Sequence, residues 1–591
     1  MNVVLTTLNA KYIHTCLALR LLKKYAEPEF DTDIMEFTIK DPAMNIVSDL
    51  YSRKPDVIGF SCYIWNIEQT IHVIRMLKKV LPETKIVLGG PEVSYDTEYW
   101  LERIAEVDFI VIGEGEETFK HLLKEMEAGS NGYHFVFGLG YRKEDKIVIN
   151  PGRGKLDLND IPSPYRLDED LASLGKRVTY FETSRGCPFS CQFCLSSIEV
   201  GVRYFDIERV KEDLLYLVRN GAKMIKFIDR TFNIKRDYAL EIFDFLIKNH
   251  GGCEFQFEIT ADIMRPEVLE FLNENAPPGI FRFEIGVQST NDATNDLIQR
   301  RQNFKKLART VTLVKDGQKI DQHLDLIAGL PEEDYDSFKQ TFNDVFALRP
   351  EELQLGFLKM LRGTGMRAMA ERFGYRFMDN APYEILSNNI LSFDDIVKMK
   401  RVEDILEKYW NDHRMDNTMK RLTDHTFATP FDFFQEYGNV WDAQGWSRIG
   451  HQFEDLFTRL DYFLEKTNAP DIYIVRGLMK LDYLLHHKHK PRKRWWTPDF
   501  DKEEQTQVRE YICEHPASVS DEFADLNLSD KEIHKHVVIE KIDFNLDSYL
   551  KNETVRNGAY HLIVYYNPKT LQAVPFTVPE NAASDLKEKT S

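Results

Sequence analysis

At 591 residues the chain has room for three or four domains, each with its own core. A hydrophobic fraction of 43% with 12% aromatic residues excludes a disordered chain, and a net charge of −19 excludes a protein that coats nucleic acid or anionic membrane over its whole surface. Seven cysteines without an even framework fit a reducing compartment. The first residues, Met-Asn-Val-Val-Leu-Thr-Thr-Leu, lack the basic region of a signal peptide and read as a strand. No apolar run reaches membrane-spanning length, so a cytoplasmic protein without membrane insertion is expected.

Residues 1–128 alternate short β-rich runs (Val3–Thr7, Asp33–Phe37, Val57–Ser61, Lys85–Gly89, Phe109–Ile112) with amphipathic helices at Leu17–Tyr25, Ile67–Val80 and Glu117–Glu127. Five strands with crossover helices predict an α/β domain with a doubly wound parallel sheet, and its ligand belongs at the carboxyl ends of the strands. Those ends carry Asn9 to His14, Ser61-Cys62-Tyr63, Gly89-Gly90-Pro91 and Gly113-Glu114-Gly115-Glu116. Residues 129–175 are rich in breakers, among them Gly152, Gly154, Pro162 and Pro164, and read as a small hairpin and linker. A second alternation follows over 176–375, with strands at Thr179–Thr183, Met224–Ile228, Glu254–Thr260, Phe281–Val287, Asp321–Ile327 and Glu352–Leu358. Residues 376–591 are expected to be mainly helical with a small β portion, including a hairpin of Tyr560–Tyr566 and Gln572–Thr577 across Asn567-Pro568-Lys569.

The most informative stretch is Thr-Ser-Arg-Gly-Cys-Pro-Phe-Ser-Cys-Gln-Phe-Cys, which holds Cys187, Cys191 and Cys194. Three thiolates at this spacing hold three irons of a 4Fe–4S cube and leave the fourth iron open to a ligand. The competing reading is a zinc site, which wants a fourth Cys or His; the next ones along the chain are His250 and Cys253. The pattern Cys-x₃-Cys-x₂-Cys, with Phe193 before the last Cys, resembles the cluster loop of radical S-adenosylmethionine (SAM) enzymes. That resemblance implies an open (β/α)₆ barrel. It also implies a free iron that chelates SAM and a reductive cleavage that makes a 5′-deoxyadenosyl radical.

Other strand ends resemble the branch that includes the oxygen-independent coproporphyrinogen oxidases. They are Glu258-x-x-x-Asp262, the run Phe283 to Ser289 with Gln288, and Asp325-Leu-Ile-Ala-Gly-Leu-Pro. The resemblance implies SAM contacts from Asp229 to the methionine amine, from Glu258 or Asp325 to the ribose hydroxyls, and from Arg300 to the carboxylate, with Arg301 as a rival. The residue types suit those roles, because hydroxyls pair with carboxylates and a carboxylate with a guanidinium.

A five-stranded, flavodoxin-like domain ahead of such a barrel resembles the cobalamin-binding radical SAM proteins. Ser61-x-Tyr63 and Gly89-Gly90 match two signals of the cobalamin fold, and Gly113 and Glu114 close its fifth strand. The third signal, Asp-x-His-x-x-Gly, is absent: Asp321-x-His323 is a partial match inside the barrel. The lower cobalt ligand is therefore His14 or none. A Rossmann-like module for another ligand remains the alternative, although Gly113-x-Gly115 lacks the third glycine of a dinucleotide loop.

The C-terminal part resembles a domain of unknown function found in one branch of these proteins, and its aromatic residues suggest a lid. The basic island His486 to Trp496 reads better as a solvated helix end and linker than as a nucleic-acid contact. Together these features imply a cobalamin-dependent radical SAM enzyme that moves a methyl group to an unactivated carbon. A reductant such as flavodoxin or ferredoxin would serve it, and the substrate is an unknown small molecule, lipid, peptide or RNA. The alternatives are cyclisation, oxidation or rearrangement with cobalamin but no methyl transfer, and a non-catalytic cobalamin- or RNA-binding protein.

Overall fold

The computed structural model describes residues 1–130, 132–144, 146–198, 201–498 and 502–580. They divide into two compact units, Met1–Ile396 and Val397–Ser591.

The first unit opens with strands β1 (Val3–Asn9), β2 (Thr32–Thr38), β3 (Val57–Ser61), β4 (Lys85–Gly89) and β5 (Phe109–Val111). They pair in parallel in the order β2-β1-β3-β4-β5. Helices α1 (Leu17–Ala26), α2 (Ala43–Ser52), α3 (Ile67–Val80), α4 (Pro91–Ser94), α5 (Thr97–Arg103) and α6 (Glu116–Glu127) make the crossovers. The inner strands are apolar along their whole length, as in Val-Ile-Gly-Phe for β3, because helices cover both faces. The order reverses direction between β1 and β3, and this switch opens a crevice at their carboxyl ends.

The segment after α6 does more than link. Strands β6 (Leu139–Lys143) and β7 (Lys146–Ile149) form a hairpin that adds antiparallel to β5, making a sheet of seven strands. Leu139 and Tyr141 bury one face of β6 against Phe109 and Phe119, so the hairpin closes the sheet edge.

The second alternation begins with β8 (Thr179–Phe181) and a two-stranded ribbon of β9 (Ser184–Cys187) and β10 (Gly201–Tyr204). It continues through β11 (Met224–Phe227), β12 (Glu254–Ile259), β13 (Phe281–Gln288), β14 (Ile320–Ala328) and β15 (Glu352–Phe357). The order β15-β14-β13-β12-β11-β8 is that of an open, all-parallel six-stranded barrel. Alternation decides its two faces. Phe227, Phe257, Phe281 and Phe283 point outward, where helices bury them with Phe232 and Phe243. Lys226, Gln256, Glu284, Arg282, His323 and Glu352 belong to the opposite parity and meet one another across the interior.

The short pair β16 (Arg376–Phe377) and β17 (Ile385–Ser387) lies in this first unit, tied to the barrel by a bridge between Lys359 and Glu384. The second unit packs helices Pro430–Ala443, Phe453–Lys466 and Ile472–His486 with a three-stranded antiparallel sheet. Strand β18 (Val537–Phe544), not foreseen from sequence, pairs with β19 (Asn557–Tyr566), which continues into β20 (Ala573–Pro579). The aromatic residues suggested as a lid are this unit's own core. Tyr409, Phe431, Phe433, Phe434 and Trp441 are buried, and the Tyr409 and Tyr437 hydroxyls meet at 2.6 Å. The basic island docks on the same unit: Trp496 donates to Glu540 (2.9 Å), Arg494 pairs with Glu540 (2.5 Å), and Trp495 stacks on Phe457. Among the described residues no helix is long and apolar enough to cross a membrane.

Candidate functional site

The loop after β1 and the entry to the barrel are joined. Val178 donates its N–H to Ile13 (2.7 Å), Thr15 donates to the Val178 carbonyl (2.9 Å), and Arg177 pairs with Glu36 (2.7 Å). A cavity of about 710 Å³ opens where the switch crevice meets this junction. One wall is the parallel sheet and its loops, with Leu5, Gly59, Ser61, Tyr63, Gly89, Gly90, Gly113 and Glu114. The other wall is the barrel mouth, with Tyr180, Glu182, Gly186, Leu195, Ser196 and Arg230.

Glycines leave this space open. A Cβ on Gly59 would come within 2.9 Å of Leu5 Cδ2 and would project beside the Phe119 ring. Gly59 was not singled out from sequence, because a lone Gly inside an apolar strand carries no mark beyond a close approach. Gly113 has φ +75 and no atom within 4 Å of where its Cβ would stand, and a Cβ on Gly89 would meet only Val111. Gly90 serves the backbone instead: φ is +103, and a Cβ would lie 2.5 Å from the Cys62 carbonyl. Tyr63 is hydrogen-bonded to Ser61, approaches Cys16 Sγ at 3.8 Å, and stacks on Trp65 with centroids 4.3 Å apart. Glu114 is held in an ion pair with Arg203 of the β9–β10 ribbon. A glycine-walled slot floored by Leu5, Val87, Val111 and Phe119 fits the flat heteroaromatic tail of a cobalamin.

His14 lines the same cavity, and its Nδ1 lies 2.8 Å from the Tyr180 hydroxyl. Burial, then Lys11, Lys226 and Arg177, hold the imidazole below its ordinary pKa and keep it neutral. His323 is elsewhere: inside the barrel, between Asp325 (3.0 Å) and Glu352 (3.2 Å), with Gln354 at 3.1 Å. Those partners raise its pKa to about 10 against the opposing effect of burial, so it is an imidazolium and unsuited to ligate cobalt.

Cys187 ends β9 opposite Gly201, and Cys191 and Cys194 follow in the loop. Cys187 and Cys191 are buried and Cys194 is half-buried; all three are free thiols. Burial raises the Cys187 and Cys191 thiols, and the neighbouring thiols raise them further; Arg230 acts against this at Cys187 and Arg300 at Cys191. The described residues contain no group of three His, Cys, Asp or Glu placed around a single ion. Cys253 precedes β12, at the opposite end of the barrel from the cluster loop, so the zinc reading has no fourth ligand there. Three thiols in one loop with no fourth Cys beside them suit a cube that offers each its own iron.

The strand-end residues separate into two sets. Arg300 approaches Cys191 Sγ at 3.9 Å and donates to the Gly286 carbonyl, whereas Arg301 is exposed. Gln288 sits at a break in the β13–β14 register with φ +69, and its buried Oε1 has no hydrogen-bond partner. An orphaned acceptor on a strained backbone beside Arg300 makes Gln288 a candidate ligand contact. Glu258, opposite Glu284 in register, has its pKa pushed up to about 7, first by burial and then by Glu284 and Asp325, against Arg230 and Lys226. Arg230, missed from sequence, lines the cavity and acts electrostatically on both Glu258 and Cys187.

The second set braces. Asp229 is 1% exposed and accepts from Thr183 N (3.0 Å), Thr183 Oγ1 (2.6 Å) and Ser184 Oγ (2.6 Å). Its oxygens hold the start of the cluster ribbon rather than facing an open site. Asp262 accepts the Asn303 N–H at 2.9 Å. Ser289 is fully buried and donates to Glu333 at 2.6 Å.

Three family models match the chain in succession: a B12 binding domain over residues 3–123, the Radical SAM superfamily over 181–345, and a protein of unknown function (DUF4080) over 371–564. The chain carries a B12-binding domain followed by a radical SAM domain. Among curated relatives, the cobalamin-dependent radical SAM methyltransferase TokK of Streptomyces tokunonensis is 28% identical, over 56% of the chain and 51% of TokK. The 2-(S-pantetheinyl)-carbapenam-3-carboxylate methyltransferase of Streptantibioticus cattleyicolor is 31% identical, over 48% of the chain and 44% of its own length. The chain thus spans about half the length of these two relatives. The solved structure of the cobalamin-dependent S-adenosylmethionine radical enzyme OxsB with aqua-cobalamin bound superposes with a TM-score of 0.57 at 16% identity, covering 87% of this chain and 75% of OxsB. At that identity the likeness concerns the fold.

Proposed function

We propose that this protein is a cobalamin-dependent radical SAM methyltransferase acting on an unactivated carbon. The observation that carries the reading is the single cavity shared by the B12-type crevice and the cluster ribbon, with Ser61 and Gly113 on one wall and Leu195, Ser196 and Arg230 on the other. Bound together, a 4Fe–4S cluster, SAM and cobalamin supply one-electron cleavage of SAM and a transferable methyl group.

The chain's own residues bind, orient and exclude water. Cys187, Cys191 and Cys194 hold the cluster on a ribbon that Asp229 anchors. Arg300 stands where a SAM carboxylate beside Cys191 needs a cation, and Glu258 and Asp325 supply acceptors for the ribose hydroxyls. The orphaned Gln288 Oε1 would be free to accept from an N–H of SAM. Gly59, Gly89 and Gly113 leave a slot that would hold cobalamin, and Tyr63 and Trp65 stack on each other at the same cavity. We assign residues 1–128 to cobalamin and 176–375 to SAM, and place the protein in the reducing cytoplasm, where an oxygen-sensitive cluster survives. A one-electron donor and an organic substrate complete the system.

The test is mass spectrometry of SAM products from anaerobically reconstituted protein with reductant, with and without cobalamin. Cobalamin-dependent S-adenosylhomocysteine together with 5′-deoxyadenosine is the expected result. Deoxyadenosine without S-adenosylhomocysteine, from protein shown to bind cobalamin, would overturn methyl transfer in favour of cyclisation, oxidation or rearrangement.

A further inference from the structure

The stretch that leaves the barrel after β15 touches loops from both walls of the cavity. Arg362, 6% exposed, pairs with Asp96 and lies over the Tyr99 ring, 3.7 Å from its centroid. Its Nε donates to the Tyr383 hydroxyl (3.2 Å), which in turn donates to Glu92 Oε1 (2.6 Å). Tyr383 and Glu92 are both buried. Gly363 has φ +86, and a Cβ there would lie 2.6 Å from Tyr95 Cβ, so only glycine admits this approach. Three residues on, Met366 donates its N–H to the Gln192 carbonyl (2.8 Å). Gln192 directly follows Cys191 in the cluster loop. Glu92, Tyr95 and Asp96 belong to the segment after Gly89, of which Gly90, Pro91, Ser94 and Tyr95 line the cavity. Residues 362–366 thus fasten segment 90–96 of the sheet domain at one end and the cluster loop at the other.

The fastening is stiff because it is buried. A guanidinium that serves a carboxylate and a hydroxyl while stacked on an aromatic ring cannot leave one partner without stranding the others away from water. Burial pushes the Glu92 carboxyl up, and Tyr383 and Arg362 act against it, so the charge of segment 90–96 also depends on this stretch. Groups on two supports that must meet across a gap have to be held to within about 0.5 Å. We propose that Arg362 is a positioning residue: with Gly363 and Tyr383 it fixes the separation between segment 90–96 and the cluster loop, and through them the distance from cobalamin to the 4Fe–4S cluster. The inference rests on the reading of this cavity as the shared site of both groups. Arg362 does not line the cavity and acts through the residues it holds.

The experiment is electron paramagnetic resonance of anaerobically reconstituted full-length protein carrying cob(II)alamin. Microwave power saturation of the cobalt signal is read with the cluster oxidised and then reduced by dithionite. A reduced cluster is a fast-relaxing spin, and its effect on the cobalt spin falls steeply with their separation. Arg362→Met and the milder Tyr383→Phe are expected to keep iron and cobalamin at parent levels and to change this relaxation enhancement at least about twofold. Arg362→Lys keeps a charge against Asp96 without the planar guanidinium over Tyr99, and should fall between parent and Arg362→Met. Arg372→Gln, at an exposed position further along the same stretch, should match the parent. Relaxation identical to the parent in both Arg362→Met and Tyr383→Phe would overturn the proposal. So would loss of iron or cobalamin from both, which would make Arg362 a matter of stability alone. Parent protein that retains no cobalamin, or whose cobalt signal ignores the cluster, would instead strike the reading of one cavity shared by both groups.

Discussion

His323 shows how a single buried cation organises its neighbours. It lies between Asp325 and Glu352, and Arg282 reaches the same Glu352 at 2.5 Å. The folded pKa of His323 is about 10, above its unfolded value near 6.5, so its contribution to stability is complete below pH 6.5 and gone above about 10. Glu352 is held down to about 2, so its contribution is complete above about 4.5 and fades as pH falls towards 2. His323→Gln should therefore lower the melting temperature most between pH 5 and 6.5, with the difference vanishing above pH 10, as read by thermal melts across that range. Because Asp325 loses an orienting partner, the same variant should weaken SAM binding about fivefold or more, measured by equilibrium dialysis. At Gly59 the argument is steric. Gly59→Val sets new methyl groups into the space beside Leu5 and Phe119, and retained cobalamin, read from its absorbance after gel filtration, should fall at least about tenfold with iron content unchanged.

At the level of elements, the β9–β10 ribbon depends on one carboxylate. Asp229 accepts from both the backbone and the hydroxyl of Thr183 and from Ser184, and removing it leaves those donors buried. Asp229→Ala should cost about 2–4 kcal/mol and reduce iron incorporation, whereas a residue that only contacts SAM would raise the KM for SAM and leave iron content alone. Iron analysis beside SAM titration separates the two roles. Parity was readable in sequence for Glu258 and Asp325, which alternate in step with Gln256 and His323 and therefore face the barrel interior. Asp229 and Ser289 alternate instead in step with Phe227 and Phe283 and turn away from the interior onto Thr183, Ser184 and Glu333; which neighbour fills that space depends on pairing between distant strands, which a local motif does not contain.

Across the first unit, the sheet and the barrel are joined by buried charge. Arg20 meets Glu36 at 3.1 Å and Asp170 at 2.6 Å, with all three side chains under a tenth exposed, and Arg177 adds a second cation on Glu36. Breaking one partner strands the others away from water, so Glu36→Gln should cost about 3 kcal/mol. Chemical denaturation should report that loss, and limited proteolysis should show faster cutting near residues 150–157 as the two folds loosen. The number and order of the alternating elements, the cysteine spacing and the strand-end signatures were determined by the chain alone, because they follow from local periodicity and from residues close in sequence. Tertiary structure decided the rest. It carried the hairpin of residues 139–149 onto the sheet edge, set Arg300 rather than Arg301 beside Cys191, turned the C-terminal aromatics into a core, and brought the crevice of one fold to face the cluster of another. Those outcomes depend on contacts between residues tens to hundreds of positions apart, which no window of sequence contains.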